Sequence, residues 1–220
     1  MSINENQIQK IAKEIQGQVK GKVLFDEFSR GRYSTDSSLY QIKPVGAVLP
    51  VDTNDVLQIM EYSQKHHIPL LARGGGSSQC GQTVGESIVL DYSKHQNKIL
   101  EFNKEEKTVW VEPGIVLDQL NAYLKPYGLW YPVDVSTSSR ATIGGMTGNN
   151  SCGSRSLYYG NMVNNVLAVE AILDDGTIHT FEDINKNYLE ITNDQNRQYQ
   201  IIKKFLDIKE KTKEEIDLHF

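Results

Sequence analysis

With 220 residues, 39% of them apolar and 9% aromatic, the chain can bury the core of one sizeable domain. Its net charge of −5 and its lack of a long basic run exclude a general nucleic-acid binder, so a bound polyanion has to be held locally by loop N–H groups and a few arginines. The two cysteines, Cys80 and Cys152, make neither a disulfide framework nor a metal set, and no metal site is expected.

The first twenty residues hold no long apolar run, so they read as neither a signal peptide nor a membrane span. The cytoplasm is the expected compartment, with peripheral contact to the inner membrane left open. Ile8, Ile11, Ile15 and Val19 recur at helical spacing after a cap at Asn4, which predicts an amphipathic helix ending near Gly17 or Gly21. Residues Val23 to Asp36 read as irregular. Ile42 to Pro50 reads as a strand broken by Pro44 and Gly46. Thr53 is the expected cap of a helix carrying Val56, Ile59 and Met60 on one face and ending at His66 and His67. Short strands are expected at 68–72 and 88–91, and a hairpin at 99–112 around the polar turn Asn103 to Lys107. Val116, Leu117, Leu120 and Leu124 mark a second helix, stopped by Pro126 and Gly128. Pro132 to Tyr159 is glycine-rich and reads as a long functional loop. A hairpin over Val166–Phe181 turns at Asp174-Asp175-Gly176, and Ile201, Ile202, Phe205 and Ile208 suggest a last helix. Strand groups interrupted by helices predict an α+β protein rather than a strict βαβ repeat.

Between the strands at 68–72 and 88–91 lies Arg73-Gly74-Gly75-Gly76-Ser77-Ser78-Gln79-Cys80-Gly81. Three consecutive glycines are costly inside a helix or strand, but they leave backbone N–H groups unshielded. The serines add hydroxyls, and Arg73 is expected to put a positive charge at the loop's mouth. That composition suits a phosphate cradle, although a plain tight turn explains it equally well. Gly76 to Thr83 has the spacing of a nucleotide-hydrolase loop, but Gln82 stands where the lysine is needed and a strand follows instead of a helix. The dinucleotide fingerprint fails too, since Gln79 replaces its third glycine.

A second region, Ser136 to Gly153, again combines hydroxyls, amides and glycines. Two cradles, on either side of a domain, suit an extended cofactor with a central pyrophosphate.

The ordered series Pro69–Ser77, Ile88–Asp91, Val111-Glu112-Pro113-Gly114, Ala141–Met146, Gly160 and Val166–Glu170 with Asp175-Gly176 resembles the FAD-binding domain of the vanillyl-alcohol oxidase (PCMH) type. It is most similar to the branch of glycolate oxidases and D-lactate or D-2-hydroxyglutarate dehydrogenases. Arg32 to Asp36 with Tyr40 further resembles long bacterial members that fuse the flavin part to an iron–sulfur part.

The resemblance implies two α+β subdomains with FAD between them, at about 37–100 and 101–195 within a domain over 37–215, preceded by an N-terminal segment 1–36. It implies that Arg73, Gly74, Gly75, Gly76, Ser77, Ser78 and Gly81 hold the pyrophosphate. Ser136, Thr137, Ser138, Thr142, Gly144 and Gly145 would run past the flavin and ribityl chain, and Asn149, Ser151, Gly153 and Val166 would complete the cradle. Ser77 stands where some relatives place a flavin-linking histidine, and Cys152 lies beyond the second glycine pair, where it reads, like Cys80, as a small buried residue. Non-covalent FAD is therefore expected. The resemblance also implies a hydroxy-acid substrate, and a quinone or iron–sulfur electron acceptor. The catalytic and substrate residues are expected in a C-terminal cap domain or partner chain outside these 220 residues. Flavin domains of sugar-lactone oxidases and enolpyruvyl-UDP-sugar reductases share the cradle, and a non-catalytic flavin-binding fragment is the remaining alternative.

Overall fold

In the computed structural model, which describes residues 4–184 and 196–219, the first ordered element is a helix whose start is set by its cap. The Asn4 side chain accepts the Gln7 N–H and the Gln7 side chain accepts the Asn4 N–H, opening α1 (Glu5–Gln16). Ile8, Ile11 and Ile15 form its buried stripe. The chain divides after Val166 into two units.

The first unit begins on a four-stranded sheet, in the order β1 (Lys22–Leu24), β2 (Gly46–Leu49), β4 (Ile88–Asp91), β3 (Leu70–Arg73). β1 is antiparallel to β2, while β2 and β3 both run parallel to β4. A parallel connection needs a crossover, and α3 (Thr53–His66) supplies it between β2 and β3. β4, flanked on both edges, is buried along its whole length, which is why Ile88-Val89-Leu90 reads as a continuous apolar run. The cap of α3 is Asp52, whose carboxylate accepts the Asp55 N–H at 3.0 Å, and not Thr53 as expected. The helix ends on His67 in the left-handed conformation (φ 54°).

Two expectations need correction here. Val23 to Asp36 is not irregular: it contains β1 and α2 (Glu27–Arg32), the latter capped by Asp26, which accepts the Ser29 N–H at 2.9 Å. The pattern was hidden because a three-residue strand and a six-residue helix are too short to show periodicity. Nor is Pro132–Tyr159 a continuous loop: it holds α5 (Ile143–Gly148) and α6 (Ser156–Tyr159).

Asp55 anchors this half. It is fully buried, and its carboxylate accepts the N–H groups of Lys20, Gly21 and Val51 at 2.8, 2.9 and 2.9 Å. One side chain thereby terminates the backbone of the α1–β1 link and the turn after β2.

The second core of the unit lies under the hairpin β5 (Ile99–Asn103) and β6 (Thr108–Val111). α4 (Leu117–Leu124) contributes Leu117, Leu120 and Leu124, which pack with Ile115, Val133, Ile143, Met146 and Met162. Met162 opens α7 (Met162–Asn165). The second unit, Leu167–Phe220, carries an antiparallel hairpin of β7 (Ala168–Ile172) and β8 (Ile178–Glu182) and the helices α8 (Arg197–Lys211) and α9 (Lys213–His219). Arg197 forks onto Asp174 through two 2.8 Å hydrogen bonds. No helix among the described residues is long and apolar enough to cross a membrane.

Replacing Asp55 with Ala leaves three donors without their acceptor, and should lower stability by on the order of 3 kcal/mol. The urea midpoint checks this, and an unchanged midpoint would refute the anchoring role. Burial also pushes the Tyr92 and Tyr131 phenols up to about 12. A folded pKa raised above the ordinary value of about 10 gives stability that is full below that value and lost as pH rises towards about 12. Ultraviolet titration should therefore show a late phenolate component, accompanied by a falling urea midpoint in the same window.

Candidate functional site

The glycine loop begins where β3 ends, and the residue at that junction does not do what its charge suggests. Arg73 turns its guanidinium back under the loop. Nη1 donates to the Tyr33 and Thr83 carbonyls at 3.3 and 3.2 Å, and Nη2 donates to the Thr35 carbonyl at 2.8 Å. The same group stands 5.4 Å from the centre of the Tyr33 ring. Burial pulls the guanidinium below its usual pKa, opposed by the charge of Asp91 and by Tyr33 and Asp36. Arg73 is thus a structural fork joining the 33–35 segment to the backbone at Thr83, rather than a cation at the mouth of the loop.

Around it sits a network of polar side chains. The Tyr33 hydroxyl donates to buried Asp91 at 2.6 Å, and the Ser93 N–H and hydroxyl donate to the same carboxylate. Burial, then the hydrogen bond to Asp91, raises the Tyr33 pKa far above that of a free phenol. The Thr83 hydroxyl donates to Asp36 at 2.9 Å. Burial opposes the Asp36 charge, but hydrogen bonds from Ser38 and Thr83 hold its pKa below the usual range. Ser37 donates its N–H to the Gly76 carbonyl at 3.1 Å, and the Tyr40 ring lies against Gly81. Residues 33–40 therefore form a strap along one side of the loop.

The second glycine region closes the other side. A Cβ on Gly74 would overlap Thr142 Oγ1, and one on Gly75 would overlap the Arg140 carbonyl. Gly76 takes φ +64° directly over the Arg73 guanidinium. Gly75 permits a backbone-to-backbone approach of the two loops, and Gly74 admits the Thr142 side chain. Gln82 then donates to Asn149 at 3.0 Å, and Asn149 to Ser151 at 3.1 Å, extending the junction. The two regions adjoin, where the sequence suggested cradles on opposite sides of a domain.

The disposition of the backbone donors separates the two loops chemically. Among the described residues, the N–H groups of Gly74, Gly75, Gly76, Ser77 and Ser78 donate to no protein acceptor, and the Ser77 hydroxyl has no partner. The start of α5 is different. The Ile143 N–H donates to the Ile115 carbonyl at 2.9 Å, Gly144 to Pro113 at 2.8 Å, and Gly145 to Thr142 Oγ1 at 3.3 Å. Thr142 is a buried helix cap, and Gly144 is packed on Pro113. Ser136, Thr137 and Ser138 form a tight turn held by Thr137, whose carbonyl accepts the Arg140 and Ala141 N–H groups, both at 2.8 Å. Gly153 is pressed on Asp134, which accepts from Ser154 and the Arg155 N–H. Val166 packs against the second core at the end of its unit.

Cys80 and Cys152 are both exposed, contrary to the expectation that they are buried. Each occupies a loop whose backbone turns outward: Cys80 donates its N–H to Ser78 Oγ just before Gly81 (φ +75°), and Cys152 lies between α5 and α6. Among the described residues, no cluster of His, Cys, Asp or Glu could hold a metal ion. Sequence reasoning missed Asp91, Thr83 and Asp134. Asp91 carried a readable signal, because a carboxylate closing a fully apolar strand has to find a donor.

The run of five unengaged amides fits an anionic group such as the pyrophosphate of a dinucleotide, since consecutive N–H groups around glycine form an anion-binding concavity. Residues 44–182 match the FAD binding domain family. The chain is 43% identical over 148 residues to a D-2-hydroxyglutarate dehydrogenase of Escherichia coli, covering 66% of this chain and 14% of that protein. It is 41% identical over 160 residues to the enzyme of that name from Pseudomonas putida, covering 71% and 16%. It is 37% identical over 176 residues to the glycolate oxidase subunit GlcD of Bacillus subtilis, covering 78% and 37%. The chain thus spans a minor part of each relative's length. Among solved structures, an alkyldihydroxyacetonephosphate synthase superposes with a TM-score of 0.67 at 21% identity, over 82% of this chain and 35% of that one. The 6-hydroxy-D-nicotine oxidase of Arthrobacter nicotinovorans gives 0.67 at 17% identity, over 78% and 38%. At such identities these two speak for the fold alone. The α+β architecture, the unengaged amides of the glycine loop and the match over 44–182 together place this chain in the FAD binding domain family.

Proposed function

We propose that this chain is the flavin-holding part of a dehydrogenase or oxidase of D-2-hydroxy acids, of the lactate, glycolate or 2-hydroxyglutarate class. The observation that carries the reading is the stretch Gly74–Ser78, whose N–H groups face no protein acceptor among the described residues. The names of the relatives supply the substrate class.

Bound FAD supplies a hydride acceptor at N5, and the protein supplies position and electrostatics. In this reading the amides of Gly74 to Ser78 and the Ser77 hydroxyl donate to the pyrophosphate. Gly81 keeps the loop's exit open. Thr142, Gly144 and Gly145 act through the backbone they hold against Gly74, since their own N–H groups or hydroxyl are already engaged. Ser136 to Ser138, Asn149, Ser151, Gly153 and Val166 border the remainder of the cofactor. The flavin is bound without a covalent link, because Ser77, where some relatives place a linking histidine, offers only an unactivated hydroxyl. The FAD-binding domain runs over 37–215, after the N-terminal segment 1–36, with subdomains at about 37–100 and 101–195. Substrate-binding groups, the base that takes the hydroxyl proton and a quinone or iron–sulfur electron acceptor belong to other parts of the full-length protein. A cytoplasmic location goes with this assignment.

Purified protein should be yellow, or become so when FAD is supplied, and acid precipitation should release the flavin into the supernatant. Colourless protein that takes up no FAD would sink the proposal, and flavin left in the pellet would overturn non-covalent binding. Full-length protein should reduce its flavin with D-lactate, glycolate or D-2-hydroxyglutarate; reduction by a sugar lactone alone would favour the lactone-oxidase reading. Gly75→Ala forces the added methyl into the Arg140 carbonyl and should weaken FAD binding at least about tenfold by separating the loops. Titration of flavin fluorescence reads this, and unchanged affinity would argue that loop contact is irrelevant to the cofactor.

A further inference from the structure

The five amides of the glycine loop are neutral donors, whereas a pyrophosphate carries charge. The arginine that precedes the loop is occupied by three carbonyls. The other arginines of the first unit can be examined in turn. Arg30 donates to the Pro44 carbonyl at 3.0 Å and pairs with Glu5 at 3.1 Å. Arg32 lies 5.2 Å from the centre of the Tyr33 ring. Arg155 sits 5.1 Å from the Trp130 ring and pairs with Asp134 at 3.6 Å. Arg32 is exposed like Arg140, but Arg140 alone of the two combines that exposure with backbone packed on the glycine loop. Its side chain is exposed and, among the described residues, has no hydrogen bond or ion pair. Its backbone carbonyl and Cβ are the atoms that a Cβ on Gly75 would meet, the latter at 3.5 Å. The tight turn at Thr137 and the antiparallel bridge between Val116 and Thr142 hold the backbone on either side of it.

We infer that Arg140 supplies the cationic charge for the anion held by the Gly74–Ser78 amides, while Arg73 is a positioning residue that keeps the loop open from beneath. This rests on the reading of the chain as an FAD carrier. The logic is a division of labour. A guanidinium already bonded to three carbonyls cannot turn to a ligand without breaking the strap at 33–40. The exposed Arg140 side chain springs from backbone packed against Gly75, so it can turn to an anion on that loop without giving up a protein contact. The close approach that makes Gly75 a glycine is also what brings the Arg140 backbone to the loop.

The test compares wild type with R140Q, R140K and R73Q, using FAD, ADP and riboflavin as probes by isothermal titration or flavin fluorescence. R140Q should weaken FAD and ADP roughly tenfold, as expected for loss of one charged hydrogen-bond donor. It should flatten the salt dependence of both and leave riboflavin unchanged, because riboflavin has no pyrophosphate. R140K should restore the salt dependence. R73Q should instead keep the salt slope while accelerating amide exchange at Ser37 and Ile42, measured on the protein without cofactor. R140Q that binds all three probes like wild type, or that loses riboflavin equally, overturns the Arg140 assignment. R73Q that flattens the salt slope returns the cationic role to Arg73. Folded wild-type protein that binds neither FAD nor ADP fails the functional reading itself, which is distinct from a wild type that binds and an R140Q that binds equally well.

Discussion

The loop that carries this site depends on one guanidinium. Arg73 gathers the carbonyls of Tyr33 and Thr35 and that of Thr83, about fifty residues further along the chain. Loop backbone that leaves a sheet has carbonyls with no ladder partner, and a planar fork of N–H donors satisfies several at once. The charge is tolerated in a half-buried setting because Asp91 and Asp36 stand nearby and Asp91 is itself held by Tyr33 and Ser93. Arg73 thus holds the strap and the exit of the loop, while the N–H groups of Gly74 to Ser78 meet no protein acceptor among the described residues.

The second constraint is steric. Gly74 and Gly75 are glycines because the Thr142 side chain and the Arg140 backbone, respectively, lie where a side chain would be. Run-of-three glycines are commonly read as freedom to bend. Here two of the three serve close approach, and Gly76 alone takes a positive φ among them. The consequence for function is that the two glycine regions form one wall. The two regions differ in what they can offer: amides from the first, and a pre-satisfied helix start from the second.

Burial and capping explain why the rest of the unit can hold that wall still. β4 is flanked by parallel neighbours on both edges, so its end at Asp91 is a fixed point. Asp55 performs a corresponding task beside the β1 and β2 edge of the sheet, collecting three N–H groups on a carboxylate that is fully buried. The second core, built from α4 and the residues around α5, fixes Thr142 beneath Gly74.

Much was legible from sequence alone, for identifiable reasons. The helical stripe of Ile8, Ile11 and Ile15, the hairpin at 99–111, the buried run at 88–90 and the helix at 117–124 are local patterns of period 3.6 or 2, or continuous apolar stretches. The family likeness was also readable, because the order of short motifs along the chain is itself one-dimensional information. What the sequence could not decide was the direction of side chains and the pairing of distant segments. β1 and α2 are too short to announce themselves, and Cys80 and Cys152 have the same letter whether buried or exposed. Above all, Arg73 and Arg140 are alike as sequence, each an arginine a few residues at most before a run of glycines. Only the folded backbone, by placing three open carbonyls under one and none against the other, gives them different chemistry.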